Sequence, residues 1–516
     1  MTRWRFALWH IGSVLCMELA ALAALGQPAA EQLLPFSLNS PTFLAPSLWR
    51  DGENAAGLCA VELPTQGRVG TTFAQRNGNF RRPQEPLSVS TLLFFSEGAQ
   101  RFGNWTTHGT LHYERRLETD VRWSNVHDAY RGTPFIWADS VGGDWQKDLV
   151  AFSAALGSPI FLDMVSVGLV ADYDVGQGAR QSGARPLFRT RNIRLLPSFA
   201  FHLSPSLHFG LSATYLSCFE EGEFGTADVS FPQLIYLRGL GTANSTVLNS
   251  AERRTFGEGF GLGIHAQGTL GTWQGALGVS FLARQDSTQD LAFSPELNRT
   301  AFRFAGRYDE RQLSFTLAAR YTHADFGAEV CFRGKWREGR GTDPIFLAVN
   351  TIDQLQEVSV ALDGWQGTSR LYAPLSFGIY ASLSLLSRRD ILAETDWQRT
   401  LLCVQAMLGT AQPLGTSFIV LAHLSGGAGF VTASSYAALR PLALTPILVR
   451  PDFLVSAANR FWLALRLALE TPVAALGNST ARLVLQGGLL QSPAQLESGE
   501  RLNARNHFNA GLELIF

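Results

Sequence analysis

The stretch Phe199-Ala-Phe-His-Leu-Ser-Pro-Ser-Leu-His-Phe-Gly-Leu-Ser-Ala-Thr-Tyr215 decides the fold. Phe199, Phe201 and Leu203 take every second position up to Ser204-Pro205-Ser206. Leu207, Phe209, Leu211, Ala213 and Tyr215 then resume the same face, while His202, His208, Ser212 and Thr214 point the other way. A period of two belongs to a strand and not to a helix. Two amphipathic strands joined by three residues make a β-hairpin, because a helix cannot reverse in so short a link.

The same period recurs along most of the chain. Val165, Val167, Leu169, Ala171, Tyr173 and Val175 oppose Ser166, Gly168, Asp172 and Asp174. Phe260, Leu262, Ile264 and Ala266 alternate with Gly259, Gly261, Gly263, His265 and Gln267. Leu313 to Tyr321 and Phe461 to Leu469 repeat the pattern, with Arg320 and Arg466 on their polar faces. Such runs reach about 10 residues, the length at which a tilted strand crosses a bilayer, whereas ordinary strands average about 5–6. The links are unequal. Ser204 to Ser206 and Gly271-Thr272 are short, while Gly176 to Asn192, Arg238 to Arg254, Asp286 to Arg299, Arg337 to Gln356 and Gln491 to Arg505 read as long loops. Backbone polar groups in lipid must all be paired, and a sheet achieves that only by closing on itself. The predicted fold is all-β: a transmembrane antiparallel β-barrel of about 16 strands, in a range of about 14–18, with short periplasmic turns and long extracellular loops.

Both chain ends carry signals. Phe508, Ala510, Leu512, Leu514 and Phe516 alternate with His507, Asn509, Gly511 and Glu513. An aromatic terminus on an alternating strand resembles the C-terminal signal that outer-membrane barrels present to their assembly machinery. Phe508, Leu512, Leu514 and Phe516 are the expected assembly signal. At the other end Arg3 and Arg5 precede the apolar run Phe6 to Leu25, and Ala24-Leu25-Gly26 offers small residues for cleavage. The expected organisation is a signal peptide at 1–26, an N-terminal periplasmic extension at 27–58 and the barrel at 59–516, with a retained anchor as the alternative to cleavage.

Composition agrees with this class. Charged residues make up 16% of the 516, well below the roughly 25% of soluble domains, and mean hydropathy is +0.05. A net charge of −1 supplies no global field for nucleic acid. Of 42 cationic residues only Lys147 and Lys335 are lysine. Cys59, Cys218, Cys331 and Cys403 are widely spaced, which supports neither a zinc knuckle nor a dense disulfide framework.

The segment from Trp145 through Gly157-Ser-Pro159 to Asp172-Tyr-Asp-Val-Gly-Gln-Gly-Ala-Arg180 resembles large outer-membrane β-barrels of unknown function from Bacteroidota. The resemblance extends loosely to the C-terminus. It implies the barrel and an outer-membrane location in a Gram-negative bacterium, and it names no solute.

Motifs of chemistry fail one by one. Gly257, Gly259, Gly261 and Gly263 recur at period two inside a strand, not at the strand-to-helix turn of a phosphate cradle. They either leave room for an inserted loop or pore, or smooth the strand for close packing. His108 and His112 fall roughly 13 Å apart on a strand, too far to share a zinc ion. Asp172 and Asp174 lie about 7 Å apart on one face and read as a solvated rim or a cation site. No GxSxG elbow supports a hydrolase. The acid-free stretch Gly176 to Leu195 carries Arg180, Arg185, Arg189, Arg191 and Arg194. Guanidinium groups pair bidentately with phosphate and carboxylate. This loop is expected to line an anion-favouring constriction, to lie outside against lipopolysaccharide phosphates, or to be merely solvated. Asp139-Ser-Val-Gly-Gly-Asp144 reads as a turn or a folded-in loop.

The expected function is a passive channel or solute-specific porin with loop-controlled selectivity. Its lumen or pore-mouth residues are Asp172, Asp174, Arg180, Arg185, Arg189, Arg191, Arg194, His265, Arg320 and Arg466. The alternative is a non-transport barrel, an accessory subunit of an outer-membrane complex or a surface-binding protein, with a partner barrel or lipoprotein. Expected partners are outer-membrane lipid, lipopolysaccharide and the barrel assembly machinery. No catalytic residue, cofactor, metal or nucleic acid is expected.

Overall fold

A computed structural model describes residues 44–516 apart from 62–64, 184, 226–232, 248–249, 295–297, 368, 477–478, 496–501 and 503. The expected signal peptide, 1–26, lies outside the described residues. The first strands are β1 (Gln66–Gly78), β2 (Ser88–Phe102), β3 (Trp105–Val121), β4 (Trp137–Ala138), β5 (Gly143–Gly157), β6 (Val165–Arg180) and β7 (Leu187–Ser204). There follow β8 (Leu207–Gly225), β9 (Gln233–Leu237), β10 (Ala243–Val247), β11 (Ser250–Leu270), β12 (Trp273–Ser294), β13 (Arg299–His323) and β14 (Phe326–Thr342). The last are β15 (Val349–Gln366), β16 (Ser376–Asp390), β17 (Thr395–Leu414), β18 (Phe418–Ala438), β19 (Arg460–Pro472), β20 (Thr480–Gln491) and β21 (Ala504–Ile515).

Among the described residues, 18 of these strands form one antiparallel sheet in chain order, and β4, β9 and β10 form a small second sheet. The large sheet closes where β1 pairs with β21, from Arg68 opposite Ile515 to Gly78 opposite Arg505. Phe516 finishes the seam: its N–H donates to the Gly67 carbonyl at 2.8 Å, and the Gly67 N–H returns a bond of 2.7 Å. Gly67 has no alternative there, since a Cβ would meet the Phe516 ring at 2.6 Å.

Eighteen strands stand at the top of the expected range, because much of what reads as loop is strand. Only 181–186 of Gly176 to Asn192 and 343–348 of Arg337 to Gln356 lie outside strands, and Asp286 to Arg299 is mainly β12. Above the lipid both faces of a strand meet water. The ladder continues there after the alternation that marks it in the sequence has stopped.

The outward face shows the lipid directly. On β8, Leu207, Phe209, Leu211, Ala213, Tyr215 and Phe219 point out, interrupted only by Ser217, and Glu221 and Glu223 follow. At a tilt of about 40° this span covers roughly 30 Å of barrel height. Outward aromatic pairs mark its two rims: Tyr215–Phe260 and Phe219–Phe256 at one end, with centroids 5.3 and 5.1 Å apart, and Trp273–Tyr321 at the other, 5.1 Å apart. The end bearing Trp273 also carries the start of β1, Phe516 and the links 103–104, 205–206, 271–272 and 324–325. Short turns and barrel termini place that end in the periplasm. The opposite end carries 79–87, 122–142, the β9–β10 hairpin and 439–459.

Candidate functional site

The chain itself occupies both mouths of the barrel. Residues 44–58, part of the extension expected in the periplasm, lie inside the periplasmic mouth. Helix α1 (Leu48–Gly52), whose N-cap Ser47 Oγ accepts from the Arg50 N–H, leads into a 3-10 turn, Ala55–Ala60. Together they form a belt along the inner wall from β14 round to β3.

Inward glycines seat this belt. A Cβ on Gly157 would meet the Ala55 carbonyl at 2.6 Å, on Gly168 the Ala56 nitrogen at 2.2 Å, on Gly210 Asn54 Nδ2 at 2.5 Å, and on Gly278 the Asp51 carbonyl at 2.8 Å. Four strands therefore give up side chains at this level, three of them to belt backbone and the one bearing Gly210 to the Asn54 side chain. Directional bonds fix the register: Asn54 Nδ2 donates to the Phe199 and Leu211 carbonyls at 3.1 and 3.2 Å, and Ser166 Oγ donates to the Ala56 carbonyl at 2.8 Å. Leu58, Ala55, Val170 and Leu196 form a small apolar cluster beneath it.

Ion pairs hold the extracellular cap. Arg82 of the β1–β2 link grips Asp452 of helix α2 (Arg450–Ser456) at 2.5 and 2.8 Å, and Asp452 also accepts from Arg388 Nη1 of the wall at 3.3 Å. Arg388 continues to Asp353 at 2.6 Å, and Asp353 to Arg337 at 3.0 Å. Arg131 reaches Glu220 at 2.7 Å, Arg238 reaches Asp343 at 2.5 Å, and Glu85 takes Arg505 at 2.7 Å. Tyr130, Tyr308, Asp353, Arg388 and Asp452 line a cavity of about 100 Å³ where these loops converge. Burial pushes the Tyr130 phenol well above its usual range, against the pull of Arg82 stacked 3.5 Å from its ring centroid. Burial, with Lys147, Arg116 and Arg131 close by, holds His127 well below its usual value, and its Nδ1 has no hydrogen-bond partner among the described residues.

The arginine stretch does not act as one site. Alternation on β7 sends Arg189 and Arg191 outward above the lipid, where Arg189 pairs with Glu223 at 2.7 Å and Arg191 stands over the Phe219 ring. Neither lines the lumen, because one residue of parity puts a side chain on the opposite face. Arg185 is exposed in the β6–β7 turn. Arg180 is buried against Asp139, so the segment folds in at Asp139, while Ser140 and Val141 stay exposed and Gly143 and Asp144 open β5. Arg194 points inward between Asp172, at 2.5 Å, and Glu53 of the belt. Asp172 is thus buried in an ion pair and Asp174 accepts from Asn192 at 2.6 Å; neither forms a solvated rim. Arg320 joins Glu329 at 2.6 Å and the Leu44 carbonyl at 2.8 Å. His265 lies against Gly52 with Ser212 Oγ at 3.0 Å from its Nε2. Arg466 faces the lumen on β19. The glycines of β11 face inward and pack closely: a Cβ on Gly257 would meet Asp286 at 2.3 Å and on Gly263 Ser212 at 2.4 Å, both on neighbouring strands.

A closed wall with a belt at one mouth and a cap at the other occupies residues 44–516, and a family profile matches almost the same span, residues 55–516. The chain belongs to the family of unknown function DUF6850. No curated protein matches this DUF6850 chain in sequence. Among solved structures it is similar to the ferric preacinetobactin receptor BauA of Acinetobacter baumannii, at 8% identity over 87% of this chain and 80% of that one, with a TM-score of 0.38. It is also similar to the outer membrane transporter YddB of Escherichia coli, at 7% identity over 88% and 81%, with a TM-score of 0.40. The likeness to CdiB of Acinetobacter baumannii has 11% identity over 87% and 60%, with a TM-score of 0.35. These values are too low to carry any residue across.

Sequence reasoning missed the belt and the cap. Parity is the signal that could have found part of them: Gly168, Gly210 and Gly278 fall on inward faces, and Arg388 does too.

Proposed function

We propose that this protein is a gated solute channel of the outer membrane, in which the cap closes the extracellular mouth and the belt narrows the periplasmic one. The observation that carries the reading is the chemistry of the closure. The cap is fastened by charge pairs such as Arg82–Asp452 and Arg131–Glu220, which water can replace. Apolar packing joins the cap's segments to one another, as at Ile136, Leu237 and Leu448, and reaches the wall where Val455 shares a cluster with Leu401 and Trp462, so the charge pairs are the part of the closure that water can undo. Between the two mouths the inward face stays polar, as a water path requires. The resemblance to Bacteroidota barrels supports an outer-membrane location, and the outward Arg189 and Arg191 stand where lipopolysaccharide phosphates would meet them. Phe516, seated at the seam, is the group offered to the assembly machinery.

Planar-bilayer recording tests the reading. Purified, folded protein should show brief, discrete conductance steps, and variants with a released cap should show long ones. Folded protein that never conducts, with or without cap release, ends it. That result would favour the second reading, a non-transport subunit recruiting a partner barrel or lipoprotein, which the occupation of both mouths by the chain's own segments also supports.

A further inference from the structure

We propose that one arc of the lumen wall binds small anions, on a row of inward side chains running from Arg333 to Arg460; the proposal rests on the channel reading and names its solute class. Strand register builds the row. Arg333 stands opposite Ser359, Ser359 opposite Ser382, Ser382 opposite Cys403, Cys403 opposite Gly429, and Gly429 opposite Arg460. Five strand spacings of about 4.8 Å make it roughly 24 Å long. Rows run across the strands, and the strands tilt, so the row climbs the wall. Followed downward it passes Thr316 and Gly278 to His265, which lies against the belt. Its upper end, Arg460, opens β19 beneath the cap.

At that end two guanidinium groups share one serine. Arg460 Nη2 donates to the Ser456 carbonyl at 2.9 Å, and Arg399 Nε donates to Ser456 Oγ at 3.0 Å. Among the described residues, neither makes an ion pair, nor do Arg333 and Lys335. The carboxylate nearest in register is Glu357, opposite Lys335. The facing wall is built differently. Arg116 is matched by Glu114 at 2.6 Å, Lys147 by Glu118 at 2.8 Å, Arg194 by Asp172, and Arg284 by Asp286 at 2.8 Å. The row itself holds no carboxylate between Arg333 and Arg460, although Arg337, Asp353 and Arg388 pair higher on the same strands.

Arg399 and Arg460, converging on Ser456 away from bulk water, favour an anion that settles between them, and Arg333, roughly 24 Å along the row, adds a weaker pull. Guanidinium offers paired donors to phosphate, sulfate or carboxylate and keeps its charge at every physiological pH. The Ser359 and Ser382 hydroxyls extend the donor row toward Arg333. The solute class is a small molecule carrying one of these groups, or the inorganic anion itself.

Calorimetric titration of the purified, folded barrel with sodium sulfate, at ionic strength held constant with chloride, tests the site. Wild type should bind sulfate saturably. Arg399→Gln with Arg460→Gln should weaken binding at least about tenfold, Arg333→Gln about threefold, and Arg189→Gln with Arg191→Gln not at all. Sulfate binding that survives the lumen variants, or that the outward pair abolishes, overturns the proposal. Arg460 also holds the end of α2, so the double variant is checked for heat-modifiable folding. If it fails, Arg333→Gln decides alone, and wild-type affinity in it overturns the site. Reversal potentials separate the two readings. Sulfate binding without conductance removes the channel and keeps the site; conductance without sulfate binding removes the site and keeps the channel.

Discussion

The belt and the cap close the same barrel with different balances of shape and charge. The belt is seated mainly by shape: Gly157, Gly168 and Gly278 admit its backbone to distances that no side chain would permit, Asn54 and Ser166 set its register, and the Arg50–Glu329 and Glu53–Arg194 pairs add charge. The cap is seated by charge: Arg82, Asp452, Arg388, Asp353 and Arg337 form one alternating chain from loop to wall. Close packing is short-ranged and opposes any partial displacement, so the belt is a fixed part of the wall. Ion pairs at a mouth can be exchanged for water with little change of shape, so in the gated-channel reading the cap, apolar within itself at Ile136, Leu237 and Leu448, is the part that moves.

Removing the centre of the charge chain should have the largest effect. Asp452→Ala takes from Arg82 the carboxylate it grips and leaves Arg388 with Asp353 alone. Breaking a buried pair on one side costs about 3–5 kcal/mol, a factor of roughly 10²–10⁴ in the ratio of closed to open cap. Long-lived conductance steps should replace rare ones, while the heat-modifiable band of the barrel is unchanged. An equally closed Asp452→Ala channel would show that the cap is held by something other than charge.

A matching change in the belt tests shape. Gly168→Val forces atoms into the Ala56 backbone, and overpacking of this kind costs about 1–3 kcal/mol. The belt should lift, and alkylation of Cys59, which it carries, should quicken between about fivefold and a hundredfold by peptide mass spectrometry. Gly487→Val is the control, since nothing lies within 4 Å of a Cβ there. Equal Cys59 rates in both variants would mean that the glycine track does not seat the belt.

Acid should loosen the cap. His127 is held below its ordinary value by burial, then by Lys147, Arg116 and Arg131, and Glu220 accepts its backbone N–H at 3.3 Å. A released loop has an ordinary histidine of about 6.5 and binds more protons than the packed one. The stabilisation is complete above that value and is lost as pH falls through it toward the depressed one. Neighbouring Asp128 acts with the opposite sign, because burial raises its carboxyl, but it starts from a much lower value. Open probability should rise between pH 6.5 and 5, at most about tenfold per pH unit. His127→Gln should flatten the rise, and a slope that persists in it would assign the titration elsewhere.

How much of this was legible depends on which force writes the pattern. Lipid contact writes a period of two, so the wall, the hairpin at Ser204 to Ser206 and the terminal strand ending at Phe516 all stand in the sequence. Above the lipid that force vanishes, and the ends of β6, β7, β14 and β15 read as loops. The belt leaves almost no trace, because its contacts join Asn54 to Phe199 and Arg50 to Glu329 across long sequence distances. Arg180, Arg189, Arg191 and Arg194 look like one cluster because they are neighbours in sequence. Parity and a turn divide them among a buried pair, the outer surface and the lumen.

That division sets the smallest expected effect. Arg189→Ala with Arg191→Ala removes two positive charges from the stretch that, as a loop, would have governed selectivity. Both side chains leave the outer face of β7, and Arg189 is already matched by Glu223 and Glu221. Exposed pairs of this kind contribute about 0–1 kcal/mol. Both charges stand in the salt solution outside the wall, where mobile ions gather round them within a Debye length of roughly 8 Å and weaken the field left for the water path. The reversal potential across a salt gradient should match that of wild type, whereas Arg399→Gln with Arg460→Gln should shift it toward cation preference. A shift in the outward variant as large as in the inward one would mean that the ion path runs outside this wall, and the distinction between a lumen face and a lipid face would fall with it.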